Sequence, residues 1–253
     1  MSAVLETRGL RKAVGGHVVL DDVTLGFEAR RLSAQIGPNG AGKTTCFNLL
    51  SGLLVPDAGE IRFHGRDITR LSSDRRARLG ICRSFQILNL FDDDTVLENV
   101  RIAVPAMRAR GFDCWTPAPS LGEAEDKAAA VIRLIGLAGR EHVEARYLSY
   151  GQRRLLEIGV ALAGEPELLL LDEPTSGLGS RPMETLRSLA QRLSASLTIV
   201  VIEHDMNFVL SLSHHIAVLH RGTVIAEGPP DAIRDNPEVR EAYLGRLATA
   251  RVP

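Results

Sequence analysis

Nine consecutive residues, Gly37-Pro38-Asn39-Gly40-Ala41-Gly42-Lys43-Thr44-Thr45, fit the pattern G-x-x-x-x-G-K-[ST], whose chemistry is the holding of a nucleoside triphosphate. Glycines let the main chain approach phosphate oxygens, while successive amide N–H groups and a helix start supply partial positive charge. Lys43 adds a point charge for the β- and γ-phosphates, and the Thr44 hydroxyl can enter the coordination shell of Mg²⁺. The pattern carries weight only where a strand leads in and a helix leads out. The apolar run Leu32 to Ile36 and the helical pattern Lys43 to Leu53 supply both. A glycine turn before a helix would explain the glycines, but not their spacing together with the lysine.

A second cluster, Leu168-Leu169-Leu170-Leu171-Asp172-Glu173, supplies the carboxylates that phosphoryl transfer needs. Four apolar residues in a row suit a strand buried on both faces, with its acidic end emerging where the phosphate loop of a neighbouring parallel strand also emerges. Asp172 is then placed to hold Mg²⁺, directly or through water, and Glu173 to orient the attacking water in line with the γ-phosphorus. A third anion-binding element is the capping box Ser149 with Gln152. The helix it starts carries free N–H groups and a positive dipole end, and Gly151 leaves room for a phosphate.

The elements that must position these groups read as an α/β chain. Val4 to Arg8 and Val18 to Phe27 form strands joined through Gly15 and Gly16. Strand Glu60 to Phe63, a turn at His64-Gly65-Arg66-Asp67, a short helix near Ser73 to Leu79 and strand Ile81 to Phe85 follow the phosphate loop. Capping boxes at Thr95/Glu98 and Ser120/Glu123 start helices running toward Arg108 and Ile135, on either side of an irregular Gly111 to Pro119 connection holding Trp115. Beyond Glu167, strands Leu168 to Leu171 and Leu197 to Ile202 alternate with helices, one from about Pro182 to Leu193, before a hairpin at Ile216 to Ala226.

Composition narrows the field. A net charge of −1 over 253 residues argues against wholesale binding of nucleic acid, and Arg75, Arg76, Arg78 and Arg83 read as a local, solvated basic face. Cys46, Cys82 and Cys114, odd in number and far apart, suggest neither a disulfide framework nor a zinc site, and a reducing compartment is expected. No charged leader opens the sequence, and no apolar run approaches the roughly 20 residues of a spanning helix. If the protein works at a membrane, other subunits are expected to span it.

Three further segments carry a family resemblance. Leu148-Ser149-Tyr150-Gly151-Gln152 resembles the signature sequence of ATP-binding cassette (ABC) ATPases, Gln86 their Q-loop, and His204 in Ile202-Glu203-His204-Asp205 their switch histidine. Their order around the phosphate loop and acidic strand extends the resemblance over nearly the whole chain. It implies a P-loop NTPase core with an N-terminal antiparallel β layer, at about 1–90 and 160–253, and an inserted helical subdomain at about 91–160 carrying the signature. It also implies ATP and Mg²⁺ as ligands, with Gln86 on Mg²⁺ and the lytic water, His204 on the γ-phosphate and Glu173 as the catalytic carboxylate. The Ser149 helix would face the nucleotide of a second cassette, in a homo- or heterodimer. Transmembrane permease subunits, a solute-binding protein acting through them and a place on the cytoplasmic face of the cell membrane complete the expectation. The runs Arg75 to Arg83 and Ile87 to Asp94 are the expected permease-facing surface.

Within that family, Arg83-Ser84-Phe85-Gln86, Thr95 to Val100, Tyr150, Arg153 to Ile158, Val201 to Met206 and Glu241-Ala242-Tyr243-Leu244-Gly245 are similar to the longer cassette of branched-chain amino-acid importers. Cassettes for urea or amide uptake and for lipopolysaccharide export are related alternatives. Soluble cassettes acting on DNA or ribosomes usually need two cassettes or long coiled-coil inserts, for which this chain has no room. A P-loop kinase or unrelated transferase would make the signature helix a coincidence. Two positions depart from the family pattern. Val14 stands where most cassettes stack an aromatic ring on adenine, and Gly179, in the D-loop-like Ser176-Gly177-Leu178-Gly179, replaces an Asp or Asn.

Overall fold

The computed structural model describes residues 3–84, 90–106 and 121–249. Gln86, Phe85, Cys114, Trp115 and the capping residue Ser120 lie outside the described residues. The chain divides into two compact units, Met1–Ser73 with Ser194–Pro253, and Asp74–Leu193.

The first unit opens with a hairpin. β1 (Ala3–Val14) and β2 (His17–Glu28) pair antiparallel across Gly15 and Gly16, whose φ values of 58° and 83° give the left-handed turn that matches strand twist. β1 runs past Arg8, where the sequence pattern stops, because its register shifts between Thr7 and Leu10 and pairing resumes beyond the irregularity. β3 (Leu32–Ile36) is buried at all five positions and leads through the phosphate loop into α1 (Lys43–Leu50). β4 (Ala58–Phe63) joins β1, and β5 (Arg66–Asp67) joins β4, for a layer ordered β2-β1-β4-β5. The expected four-residue turn is therefore shorter: Arg66 and Asp67 already pair with Phe63 and Arg62.

α2 (Ser73–Arg78) leads into the second unit and breaks the expected basic face. Arg76 is fully buried, and the Arg83 side chain is 6% exposed, whereas Arg75 and Arg78 face water. A helix one turn long cannot point adjacent arginines the same way, so the reading of the four as one solvated face is corrected. β6 (Ile81–Ser84) runs parallel to the later β7 in the same unit, with Ile81 opposite Leu168 and Ser84 opposite Leu171. Between them come α3 (Val96–Ala106), α4 (Leu121–Leu134) and α5 (Tyr150–Ala163). α3 starts with half of the expected capping box: Thr95 Oγ1 accepts the Glu98 amide at 3.1 Å, while the Glu98 carboxylate accepts from Arg101. The three helices pack on one another through apolar positions at helical spacing, Val96, Val100 and Val104 on α3 and Ala124, Ala128 and Ile132 on α4. β7 (Leu168–Asp172) is buried throughout, and α6 (Ser180–Leu193) covers its own apolar stripe with Leu186, Leu189 and Ala190.

The chain then returns to the first unit. β8 (Thr198–Ile202), α7 (Met206–Leu212), β9 (His215–His220) and β10 (Thr223–Gly228) follow. β3 runs parallel to both β8 and β9, and β10 closes the edge as the antiparallel arm of a hairpin with β9. Two terminal helices, α8 (Pro230–Arg234) and α9 (Pro237–Thr249), are absent from the sequence reading. Asn236 caps α9, its Oδ1 accepting the Glu238 and Val239 amides at 2.9 and 3.2 Å. Leu170, fully buried, tests the doubly covered strand: Leu170→Ala should cost about 2–5 kcal/mol, read from the shift of the denaturation midpoint in urea. A loss of less than about 1 kcal/mol, the range of surface changes, would show that β7 is not buried on both faces.

Candidate active site

The phosphate loop is held by main chain from β9 and β10. Gly37 has φ 152°, and a Cβ there would lie 2.1 Å from the Leu219 carbonyl oxygen, so no other residue fits without moving the neighbouring strand. Downstream, the Gly222 amide at the tip of the β9–β10 hairpin donates to the Ala41 carbonyl at 3.0 Å, and the Gly222 carbonyl accepts from the Asp21 amide at 2.9 Å. Lys43, at 6% exposure, turns its ammonium inward to the carbonyls of Gly37 and Pro38 at 2.8 and 3.1 Å. Those acceptors satisfy a buried cation and keep it beside the loop's amides. Asn39, Gly40 and Thr44 are exposed, Pro38 and Thr45 partly so. Val14 ends β1 with 53% of its surface exposed.

The C-terminal helix reaches this loop as well. Burial pushes the Tyr243 phenol up to about 12, against the smaller opposing effect of a hydrogen bond with the Gly37 backbone. Sequence reading used Tyr243 only as part of a family resemblance; no local pattern links a tyrosine in a late helix to a glycine so far upstream.

His204 follows β8 in the same unit and is exposed. Its position is set by its neighbours. Glu203, 2% exposed, accepts the amides of His204 and Asp205 at 3.0 and 3.4 Å, and Asp205 caps α7 by accepting the Phe208 amide at 2.9 Å. The imidazole thus stands on a short bridge whose main chain is pinned on both sides.

The second unit carries the acidic pair and the capping helix. Asp172 closes β7 with 2% exposure, and Glu173 follows in left-handed backbone, φ 46°, a conformation costly for a non-glycine residue and frequent where function demands an orientation. Asp172 Oδ2 accepts from the Arg83 guanidinium at 2.6 Å. Arg154 of α5 donates to the Asp172 main-chain carbonyl and pairs with Glu157 at 2.7 Å. Neither arginine was singled out as a site residue from sequence, because each meets its partner only through the packing of β6, β7 and α5. At the start of α5 the capping box is complete: Ser149 Oγ accepts the Gln152 amide at 3.4 Å and Gln152 Oε1 accepts the Ser149 amide at 3.0 Å. Gly151 has an internal reason to be glycine, since a Cβ would lie 2.6 Å from Pro182 Cγ. Gly179 has none, for nothing stands within 4 Å of a Cβ there. Of the expected site residues, the phosphate loop, Val14 and His204 lie in the first unit and Asp172, Glu173, Ser149, Gly151 and Gln152 in the second.

Comparison with known proteins identifies the family. The family model described as ABC transporter matches residues 20–176, and a second, described as branched-chain amino acid ATP-binding cassette transporter, matches residues 223–248. The high-affinity branched-chain amino acid transport ATP-binding protein BraF of Pseudomonas aeruginosa is 39% identical over 249 residues, covering 96% of this chain and 98% of that protein. Among solved structures, an ATP-binding cassette of an ABC transporter in its ADP conformation gives a TM-score of 0.84 at 29% identity, over 97% of this chain and 100% of that one. A dimeric cassette in a post-hydrolysis state, bound to ADP and Pi, gives 0.78 at 26% identity, over 89% and 98%. This chain belongs to the ABC transporter family. It is an ATP-binding cassette, the ATP-hydrolysing part of such a system. Replacing Lys43 by Ala removes a buried charge-assisted contact worth about 1.5–3 kcal/mol, and should weaken ATP binding about 10- to 100-fold in a fluorescent-nucleotide titration; unchanged affinity would contradict the assignment of the loop.

Proposed function

We propose that this cassette powers import of branched-chain or related amino acids. The observation that carries this reading is the match at the C-terminal end: residues 223–248, which take in β10, α8 and most of α9, fit a model described as branched-chain amino acid ATP-binding cassette transporter. The partners in this proposal are a second cassette, identical or not, transmembrane permease subunits, and indirectly a solute-binding protein. Among the described residues no helix is long and apolar enough to cross a membrane, and the cassette is assigned a peripheral place on the cytoplasmic face.

Each site residue has a task in this reading. The amides of Gly37 to Thr45 and the Lys43 ammonium take the triphosphate; a γ-phosphate offers Lys43 a stronger acceptor than the two carbonyls it now meets. Thr44 and Asp172 offer a hydroxyl and a carboxylate, hard oxygen donors that fit Mg²⁺, with Gln86 assigned to the same ion. When bound, Mg²⁺ would supply the positive charge that offsets charge developing on the phosphates. Glu173 accepts a hydrogen bond from the attacking water and turns it toward the γ-phosphorus, the left-handed backbone fixing its direction. His204 donates to the γ-phosphate from its pinned bridge. Ser149, Gly151 and Gln152 present the start of α5 to the nucleotide of the second cassette, and Val14 lies beside the base. ATP binding closes the pair of cassettes and hydrolysis reopens it, so the free energy of closure is delivered to the permease as movement.

The test is steady-state ATPase activity of the chain alone and reconstituted with its partner cassette and permease, with amino acids presented by their binding protein. Stimulation by a loaded binding protein is expected; full turnover alone, unaffected by any of these, would move the chain to another role. Glu173→Gln should keep ATP affinity, slow hydrolysis at least a hundredfold, in the range of general-base losses, and accumulate a closed dimer on size exclusion. A monomer with normal turnover would remove Glu173 from its role. Ser149→Arg fills the space before α5 and should abolish hydrolysis with nucleotide affinity retained, whereas normal turnover would dissociate the signature helix from catalysis.

A further inference from the structure

The carboxylate of Asp172 already has a strong partner. Arg83, on β6, holds Oδ2 at 2.6 Å, and the two side chains are 6% and 2% exposed. The backbone of the same residue is tied by Arg154, itself paired with Glu157 at 2.7 Å and 2% exposed. Arg83, Arg154, Glu157 and Asp172 together carry no net charge, so the Asp172 charge is compensated from within the unit. A buried carboxylate paired in this way is held firmly, because breaking the pair leaves an uncompensated charge.

Resting on the reading of Asp172 as a carboxylate that serves nucleotide-bound Mg²⁺, we propose that Arg83 competes with the cation for Asp172 and so weakens the cassette's hold on Mg²⁺. Two effects of Arg83 oppose each other. Its Nη2 contact orients the carboxylate, which saves the rotamer entropy of one short side chain. Against that, a guanidinium and a doubly charged cation drawn to one carboxylate repel, at short distance and away from bulk water, and this repulsion is several times larger. The net effect is a loosened cation. The consequence for turnover is at product release: Arg83 reclaims Oδ2 and helps Mg²⁺ and ADP to leave.

The experiment is binding of a fluorescent ATP analogue at varied free Mg²⁺, with stopped-flow release of Mg·ADP, for the wild type, Arg83→Met and Arg83→Lys. In Arg83→Met the Mg²⁺ concentration at half-effect should fall about tenfold, equivalent to roughly 1.4 kcal/mol, and Mg·ADP should leave more slowly. Affinity in EDTA should stay within about twofold, less than 0.5 kcal/mol. Arg83→Lys, which keeps the charge, should stay near the wild type. A half-effect in Arg83→Met that is unchanged, or moved to higher Mg²⁺, would overturn the proposal, the latter making Arg83 a positioning residue for Asp172. Asp172→Asn separates the underlying reading: if it leaves the Mg²⁺ dependence untouched, the assignment of Asp172 fails, whatever Arg83 does. Should Arg83→Met not fold, the wild type decides by nitrogen-15 NMR. The Arg83 Nη–H signals, which include the donor to Asp172 Oδ2, should exchange faster with Mg·ATP than with ATP in EDTA, and equal exchange would overturn the proposal.

Discussion

Three short strands, each buried along its whole length, dictate where chemistry can occur in this chain. β3, β7 and β8 have five residues apiece and no exposed position among them. Parallel strands covered on both faces leave only their ends for polar work, and the residues assigned to the site stand at or beyond those ends: the phosphate loop after β3, Asp172 and Glu173 at and after β7, His204 after β8. The interiors of β7 and β8 are uniformly apolar, whereas β3 buries Ser33 and Gln35 between its apolar residues. The polar groups at the ends must then be satisfied one by one, since they stand at the edge of the same dry interior.

That satisfaction is achieved by different means at each end. After β3 it is main chain, with Gly37 pressed against the Leu219 carbonyl and the Gly222 amide bonded to Ala41. At β8 it is a carboxylate folded onto its own following amides, Glu203 on His204 and Asp205. At β7 it is charge, Arg83 on the Asp172 carboxylate and Arg154 on its carbonyl. The three differ in what they permit. Main-chain contacts fix a loop whatever binds it, local amide contacts fix the backbone of an exposed histidine, and an ion pair can be redistributed when another cation arrives. Only the third couples the position of a site residue to the charge of its ligand.

Legibility in the sequence follows the same division. The phosphate loop, the acidic strand end and the Ser149 capping box were readable because each completes its pattern within a few residues, where local geometry and residue type leave little choice. The core strands were readable from runs of Leu, Val and Ile. Arg83 and Asp172 stand 89 positions apart, and nothing local to either predicts that they meet; reading Arg83 with Arg75, Arg76 and Arg78 as one surface cluster followed proximity in sequence, which a single helical turn and a strand then scattered. α8 and α9 escaped for another reason. Pro230 and Pro237 begin them, and a proline read as a break is equally a favourable first helical residue.

Glycine shows how one residue type can answer to different constraints. Gly37 is required by backbone conformation and by a neighbouring carbonyl, and Gly151 by the Pro182 ring, so the fold explains both without appeal to a ligand. Gly179 meets neither demand. Its surroundings admit a side chain, and its φ is not among the positive ones, so the chain's own packing gives no reason for the Asp or Asn of the family pattern to be missing. In a cassette whose signature helix is assigned to a partner's nucleotide, an open glycine there removes a polar group from the same side of the molecule. The cross-dimer contact it would have made must then be supplied by the partner cassette or dispensed with. In the dimer proposed above, self-pairing would leave the group missing at both symmetric positions, whereas pairing with a different cassette would let the partner supply it at one of them.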